Sequence, residues 1–78
     1  MSVTLGNRLR VARAEQGLSQ QRLAQAVGVT RQTISSIETG QYCPSALLAF
    51  TLAAELRKPV DTLFFLEGGP NEHDSRRS

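Results

Sequence analysis

Five polar residues lie close together in the middle of this chain: Thr30, Arg31, Gln32, Thr33 and Ser36. Their types are those that hydrogen-bond phosphate oxygens and the edges of bases. Arg31 has the fork to take O6 and N7 of a guanine, and the length to hold a phosphate instead. Gln32 can make two bonds to N6 and N7 of an adenine. Thr33 offers a methyl to thymine or a hydroxyl to a phosphate. Ser36, four residues past Gln32, shares its helical face and can reach a base edge or a phosphate. Each good two-bond contact separates right from wrong base by about 1–3 kcal/mol. Ahead of this group, Ser19 and Gln20 open a helix, where free N–H groups and an amide side chain suit a phosphate oxygen.

Two short helices must hold these residues. Leu23, Ala24 and Val27 fall on one helical face, and Gly28 then supplies the left-handed turn that ends a helix. Thr30 can cap the next helix, whose apolar side is Ile34 and Ile37, with Gly40 after its last turn. Small Ala24 permits the close approach that a steep crossing needs. The pattern is a helix-turn-helix over about 19–38, with its second helix, about 30–38, directed into a DNA major groove. Ile34 and Ile37 belong to the core, and Ser35 is a small packing residue. Ser19 is the N-cap of the first helix of the pair, but Arg22 stands where a capping box has Glu or Gln. Arg22 reads better as a neutral surface substitution than as a phosphate ligand.

Gly17, Leu18, Ser19, Gln20, Leu23, Ala24, Gly28, Val29, Thr30, Ile34, Ser35, Ile37, Glu38 and Gly40 fit the run G-L-S-Q-x-x-L-A-x-x-x-G-V-[ST]-x-x-x-I-S-x-[IW]-E-x-G. On these residues the chain resembles the lambda-repressor-like (Cro/cI, Xre-type) DNA-binding domain. The likeness continues through Pro44-Ser45 and Pro59-Val60-Asp61-Thr62-Leu63-Phe64. It implies an all-α fold, a compact five-helix domain, and a small transcriptional regulator of bacterial or phage origin. It also implies that Arg13 pairs with Glu38 and clamps the first helix of the domain to the recognition helix; a phosphate contact by Arg13 is the competing role. Gln20 would contact the DNA backbone and brace the recognition helix, and the position of Thr30 is one used on the backbone as well as for capping. The loop Gln41-Tyr42-Cys43-Pro44 would lie along a phosphate strand, held through backbone N–H groups. Two readings stand level for Tyr42: a ring or hydroxyl on the DNA, or a cover for the core edge. Cys43 departs from the asparagine common there and reads as an inert thiol. Arg57-Lys58 replaces the usual glycine or asparagine after a helix. Because a left-handed arginine carries a steric cost, a different join is expected there.

The remaining periodicities complete the domain. Leu5, Leu9 and Ala12 predict a first helix over about 5–16, after a loose start in which Ser2 or Thr4 could cap, and Gly17 ends it. Arg8 and Arg10 on it are surface charges, near the DNA backbone if the resemblance holds. Ser45 caps a helix over about 46–56, whose core stripe is Leu48, Leu52 and Leu56 with Ala49 and Ala53. Leu47 and Phe50 fall partly on another face. Pro59 starts a last helix that turns Val60, Leu63 and Phe64 inward. Phe65 and Leu66 then exceed what one small core absorbs, which favours a dimer interface there over their finishing the monomer core. The domain is read as 1–66, and 67–78 as a flexible polar tail in which Arg76-Arg77 and His73 are solvated.

Composition narrows the function classes. The chain has 78 residues, one domain's worth, with net charge +2. Residues 1–40 hold five arginines against Glu15 and Glu38, and the rest holds four bases against five acids, so the positive excess lies with the reading unit. One cysteine and one histidine are too few for an internal disulfide or a zinc centre, and no cofactor is expected. No paired carboxylates, nucleophile–base set or phosphate-cradling loop argues for an enzyme. With no membrane-length apolar run or leader pattern, the chain is read as soluble and cytoplasmic. Double-stranded DNA is the expected partner, bound by a homodimeric repressor on a palindromic operator. The alternative is an antitoxin or other module of the same fold holding a small protein partner.

Overall fold

A computed structural model describes residues 3–68. The order is β1 (Val3–Asn7), α1 (Leu9–Glu15), α2 (Gln20–Val27), α3 (Arg31–Glu38), α4 (Ala46–Leu56), α5 (Val60–Leu63) and β2 (Phe64–Gly68). The helices enclose one core. Leu9 of α1, Leu23 of α2, Ile34 and Ile37 of α3, Leu52 and Leu56 of α4 and Leu63 of α5 are all fully buried. Leu5, Leu18, Val27, Val29, Leu48, Ala49 and Val60 pack around them. No helix among the described residues is long and apolar enough to cross a membrane.

The two strands correct the all-α expectation. β1 pairs antiparallel with β2, Val3 opposite Gly68, Leu5 opposite Leu66 and Asn7 opposite Phe64. Residues 3 and 4 therefore belong to an element rather than to a loose start, and α1 begins at Leu9 rather than near residue 5. The reason lies in Asn7. Its Oδ1 accepts a bond from Leu9 N–H at 3.0 Å and so starts the helix, a local side-chain bond that competes with extending the helix backward. The Leu5–Leu9 spacing joins two elements that happen to bury the same side. β2 follows from Phe64-Phe65-Leu66, bulky residues suited to a half-buried pleat. α5 is only four residues long, so Phe64 turns inward from a strand and not from a helical turn.

The strand pairing also depends on Gly6. A Cβ there would meet the Phe65 ring and the Glu67 side chain at 2.5 Å. The ring lies over the bare glycine backbone, with the Arg8 guanidinium carbon 5.3 Å from its centroid. The end of α4 corrects a second expectation: Arg57 does take the left-handed conformation, φ 58°. Its N–H and that of Lys58 bond to the carbonyls of Ala54 and Ala53 at 3.2 and 3.0 Å. The helix thus closes in the usual way on a residue that carries the steric cost. β2 runs to Gly68, past the 66/67 boundary read from sequence; the tail read as flexible otherwise lies outside the described residues, with His73, Arg76 and Arg77. Ser2, named as a cap, lies outside them too.

Candidate nucleic-acid interface

α2 and α3 form the helix pair. Ser19 Oγ accepts from Arg22 N–H at 3.0 Å and caps α2. Gly28 ends it at φ 81°, and the N–H groups of Gly28 and Val29 both return to the Ala24 carbonyl, at 2.9 and 3.0 Å. Thr30 Oγ1 accepts from Thr33 N–H at 3.2 Å and starts α3. Thr30 and Thr33 also share a hydroxyl–hydroxyl bond of 3.0 Å. With Ile34 and Ile37 buried, the opposite face of α3 is turned outward. Arg31 and Gln32 are exposed and Thr33 and Ser36 half-buried. The Gln32 amide donates to Ser36 Oγ at 3.2 Å, which holds the two side by side on that face.

The other end of α3 is fixed by Glu38, whose side chain is 1% exposed. Arg13 reaches it from α1: Nε lies 2.7 Å from Oε2 and Nη2 3.4 Å from Oε1. Arg13 Nη1 meanwhile donates to the Leu18 carbonyl at 2.9 Å, so one guanidinium joins α1, α3 and the segment leading into α2. Gln20 donates to Glu38 Oε1 at 3.0 Å. Arg10 stands 3.6 Å away but is 70% exposed, and its charge is well screened. Burial alone pushes the Glu38 carboxyl up. Hydrogen bonds from Arg13 and Gln20 and the charges of Arg13 and Arg10 outweigh it, holding the group below its ordinary value.

The second amide atom of Gln20 accepts from Arg31 Nη1 at 3.4 Å. Arg31, Gln20, Glu38 and Arg13 therefore form one chain of contacts from the outward face of α3 to the interior. Asn7 is a member of this scaffold that sequence reasoning missed. Its Nδ2 donates to the Ile37 carbonyl at 2.9 Å while its Oδ1 starts α1, tying the strand to the last turn of α3. An asparagine two residues ahead of the first buried helical leucine was the available signal.

The loop after α3 differs from the expectation in one respect. The N–H groups of Gln41 and Tyr42 both go to the Ser36 carbonyl, at 2.8 and 3.2 Å. They close the helix end and are not offered to a phosphate. The side chains of Gln41 and Tyr42 are exposed, and Tyr42 borders a groove of about 310 Å³ with Val3, Leu5, Ile37, Pro44 and Phe64. At the far edge, Phe65 is half-buried on Gly6 and Arg8, while Leu66 is 75% exposed.

Two crossed helices with a capped, polar, outward-facing second member define a helix-turn-helix. Residues 9–63 match the family described as Helix-turn-helix (HTH_3). The chain is 43% identical over 61 residues to the HTH-type transcriptional regulator YgzD of Bacillus subtilis, covering 78% of this chain and 92% of that one. It is 47% identical over 60 residues to an HTH-type transcriptional regulator of Methanothermobacter thermautotrophicus, covering 76% and 87%. Among solved structures it resembles the restriction-modification controller protein C.AhdI of Aeromonas hydrophila, with TM-score 0.66 and 34% identity over 70% of this chain and 80% of that one. The chain belongs to the HTH_3 family, the Xre/cI-like helix-turn-helix transcriptional regulators.

Proposed function

We propose that the chain is a sequence-specific DNA-binding repressor that acts in the cytoplasm as a homodimer on a palindromic operator, with α3 in the major groove. The observation that carries this reading is the outward edge of α3, where exposed Arg31 and Gln32 lead a polar face on a helix anchored at both ends. Arg31, Gln32 and Ser36 are assigned to base edges, and Ser19, Gln20, Thr30, Thr33, Gln41 and Tyr42 to the phosphate backbone. Arg13 and Glu38 set the pitch of α3 without touching DNA. Two copies would place their recognition helices on half-sites about 34–36 Å apart. Leu66 of β2, exposed next to half-buried Phe65, is a further apolar residue open to a protein contact. Repression then needs no further domain, since occupancy of the operator excludes polymerase.

Selection of bound duplexes from a random pool with the purified protein tests this reading. A two-fold-symmetric enriched site is the expected result. Enrichment of no site, with binding insensitive to salt, would refute it.

A further inference from the structure

α4 carries two apolar stripes. The inner one, centred on Leu52 and Leu56, fills the core. At 100° per residue, Leu47, Phe50 and Ala54 fall together on the opposite side, at i, i+3 and i+7. There Leu47 is 79% and Phe50 61% exposed. Scattered exposed apolar residues are normal, but a continuous stripe on one helix face is not. Nothing polar relieves it. Residues 39–54 contain no charged side chain. Thr51, the hydroxyl on that face, donates to the Leu47 carbonyl at 2.7 Å. Ser45 Oγ is occupied by Leu48 N–H at 3.1 Å. Glu55, near its end, is the one charge on α4; a helix otherwise apolar on both faces reads as buried on both, and no described residue of this chain buries the outer side of this one.

We infer that the outer stripe of α4 is the seam along which two copies of the chain pair. This rests on the dimeric reading above and places its seam on α4, not on Phe65 and Leu66 of β2. The occupant follows from the stripe's own register. Set two α4 helices antiparallel about a two-fold axis midway between positions 50 and 51. Leu47 of each copy then meets Ala54 of the other, and Phe50 meets Thr51. Every large side chain faces a small one, the fit that close helix packing needs, and each contact occurs twice as two-fold symmetry requires. Glu55 falls opposite Ala46, so no like charges meet. The helix is 11 residues, about 16 Å long. It supplies less than the roughly 800 Å² per partner of a standard interface, so the dimer is a weak one, with Kd in the micromolar range or above. Leu66 is not needed for this pairing.

Sedimentation equilibrium of the full chain without DNA, from about 10 μM to 1 mM, tests the inference. Leu47→Lys and Ala54→Glu should each raise the dimer Kd by about tenfold or more, with thermal melting followed by circular dichroism little changed because both sites face solvent. Mixing the two variants should restore dimers, since the new charges meet across the axis. Leu66→Ser should leave Kd within about twofold. Dimers indifferent to positions 47 and 54, or lost with Leu66→Ser, overturn this seam and leave the dimeric reading standing. Failure of the mixture to recover overturns the register and with it the inference. A wild-type chain monomeric throughout overturns the dimeric reading itself.

Discussion

Replacing Glu38 by alanine removes the acceptor for three bonds, two from Arg13 and one from Gln20. Breaking a buried ion pair by deleting one partner costs roughly 3–5 kcal/mol. Arg13 keeps its bond to the Leu18 carbonyl and is 16% exposed, so the lower end, about 3 kcal/mol, applies. A domain of 78 residues has about 4–12 kcal/mol in total. The variant should therefore melt roughly 12–24 °C below wild type. In urea, with m of about 1 kcal/mol/M, its midpoint should fall by about 3 M. Glu38→Gln keeps an acceptor for Arg13 and should lose about half as much. The same comparison has a pH signature. The folded carboxyl titrates below its ordinary value of 4.5, so its stabilisation is complete above about pH 4.5 and is lost as pH falls through the lowered folded value. Wild type and Glu38→Gln should thus differ by a constant amount between about pH 5 and 7, and converge in acid. A Glu38→Ala loss under about 1 kcal/mol, with parallel acid profiles, would show that the pair behaves as a solvated one, and the clamp argument would fail.

Gln32→Ala should relax base preference at one operator position by about 1–3 kcal/mol while leaving affinity for random duplex intact, measured by competition binding. Gln20→Ala should weaken binding to all duplexes, because its amide is assigned to a phosphate and braces Glu38; a change confined to one base would contradict that role. Arg57→Gly should raise the urea midpoint by the equivalent of up to about 1 kcal/mol, since glycine removes the left-handed strain at φ 58° on an exposed residue. Gly6→Val should destabilise by about 1–3 kcal/mol through displacement of Phe65, read by chemical denaturation, and no loss would mean that the strand pair opens freely.

The parts legible in the sequence are those fixed by local rules. α4 occupies 46–56 as its cap and stripe predict, and the turn at Gly28 has the left-handed φ that glycine permits. The two-stranded sheet is not legible, because its evidence is split between the two ends of the domain. Val3 to Asn7 makes no alternating pattern long enough to read alone, and Leu5 imitates a helical position. Only the approach of Phe65 to Gly6 explains that glycine, and that contact spans most of the chain. Arg57 misled for the opposite reason: the intrinsic preference was read correctly, and tertiary closure of α4 onto α5 overrode it. The loop amides are a different case: Gly40, at φ 81°, closes α3 by sending its own N–H to the Ile37 carbonyl and that of Gln41 to the Ser36 carbonyl, a local rule that the family resemblance overrode.

The ties around α3 have a common logic. Eight residues are too few for a helix to persist alone in water. Its two buried side chains, Ile34 and Ile37, contribute roughly 1.5–3 kcal/mol each, less than the ordering of eight backbone residues at about 1–2 kcal/mol apiece. A wider apolar face would stabilise α3 but would consume the positions that must face a groove. The alternative used here is to anchor the ends: Thr30 at the start, and Glu38 and the Ile37 carbonyl at the finish. Both anchors at the finish reach outside the helix pair, to Arg13 of α1 and Asn7 of β1. The direction of the reading edge is consequently set by the first fifteen residues of the chain.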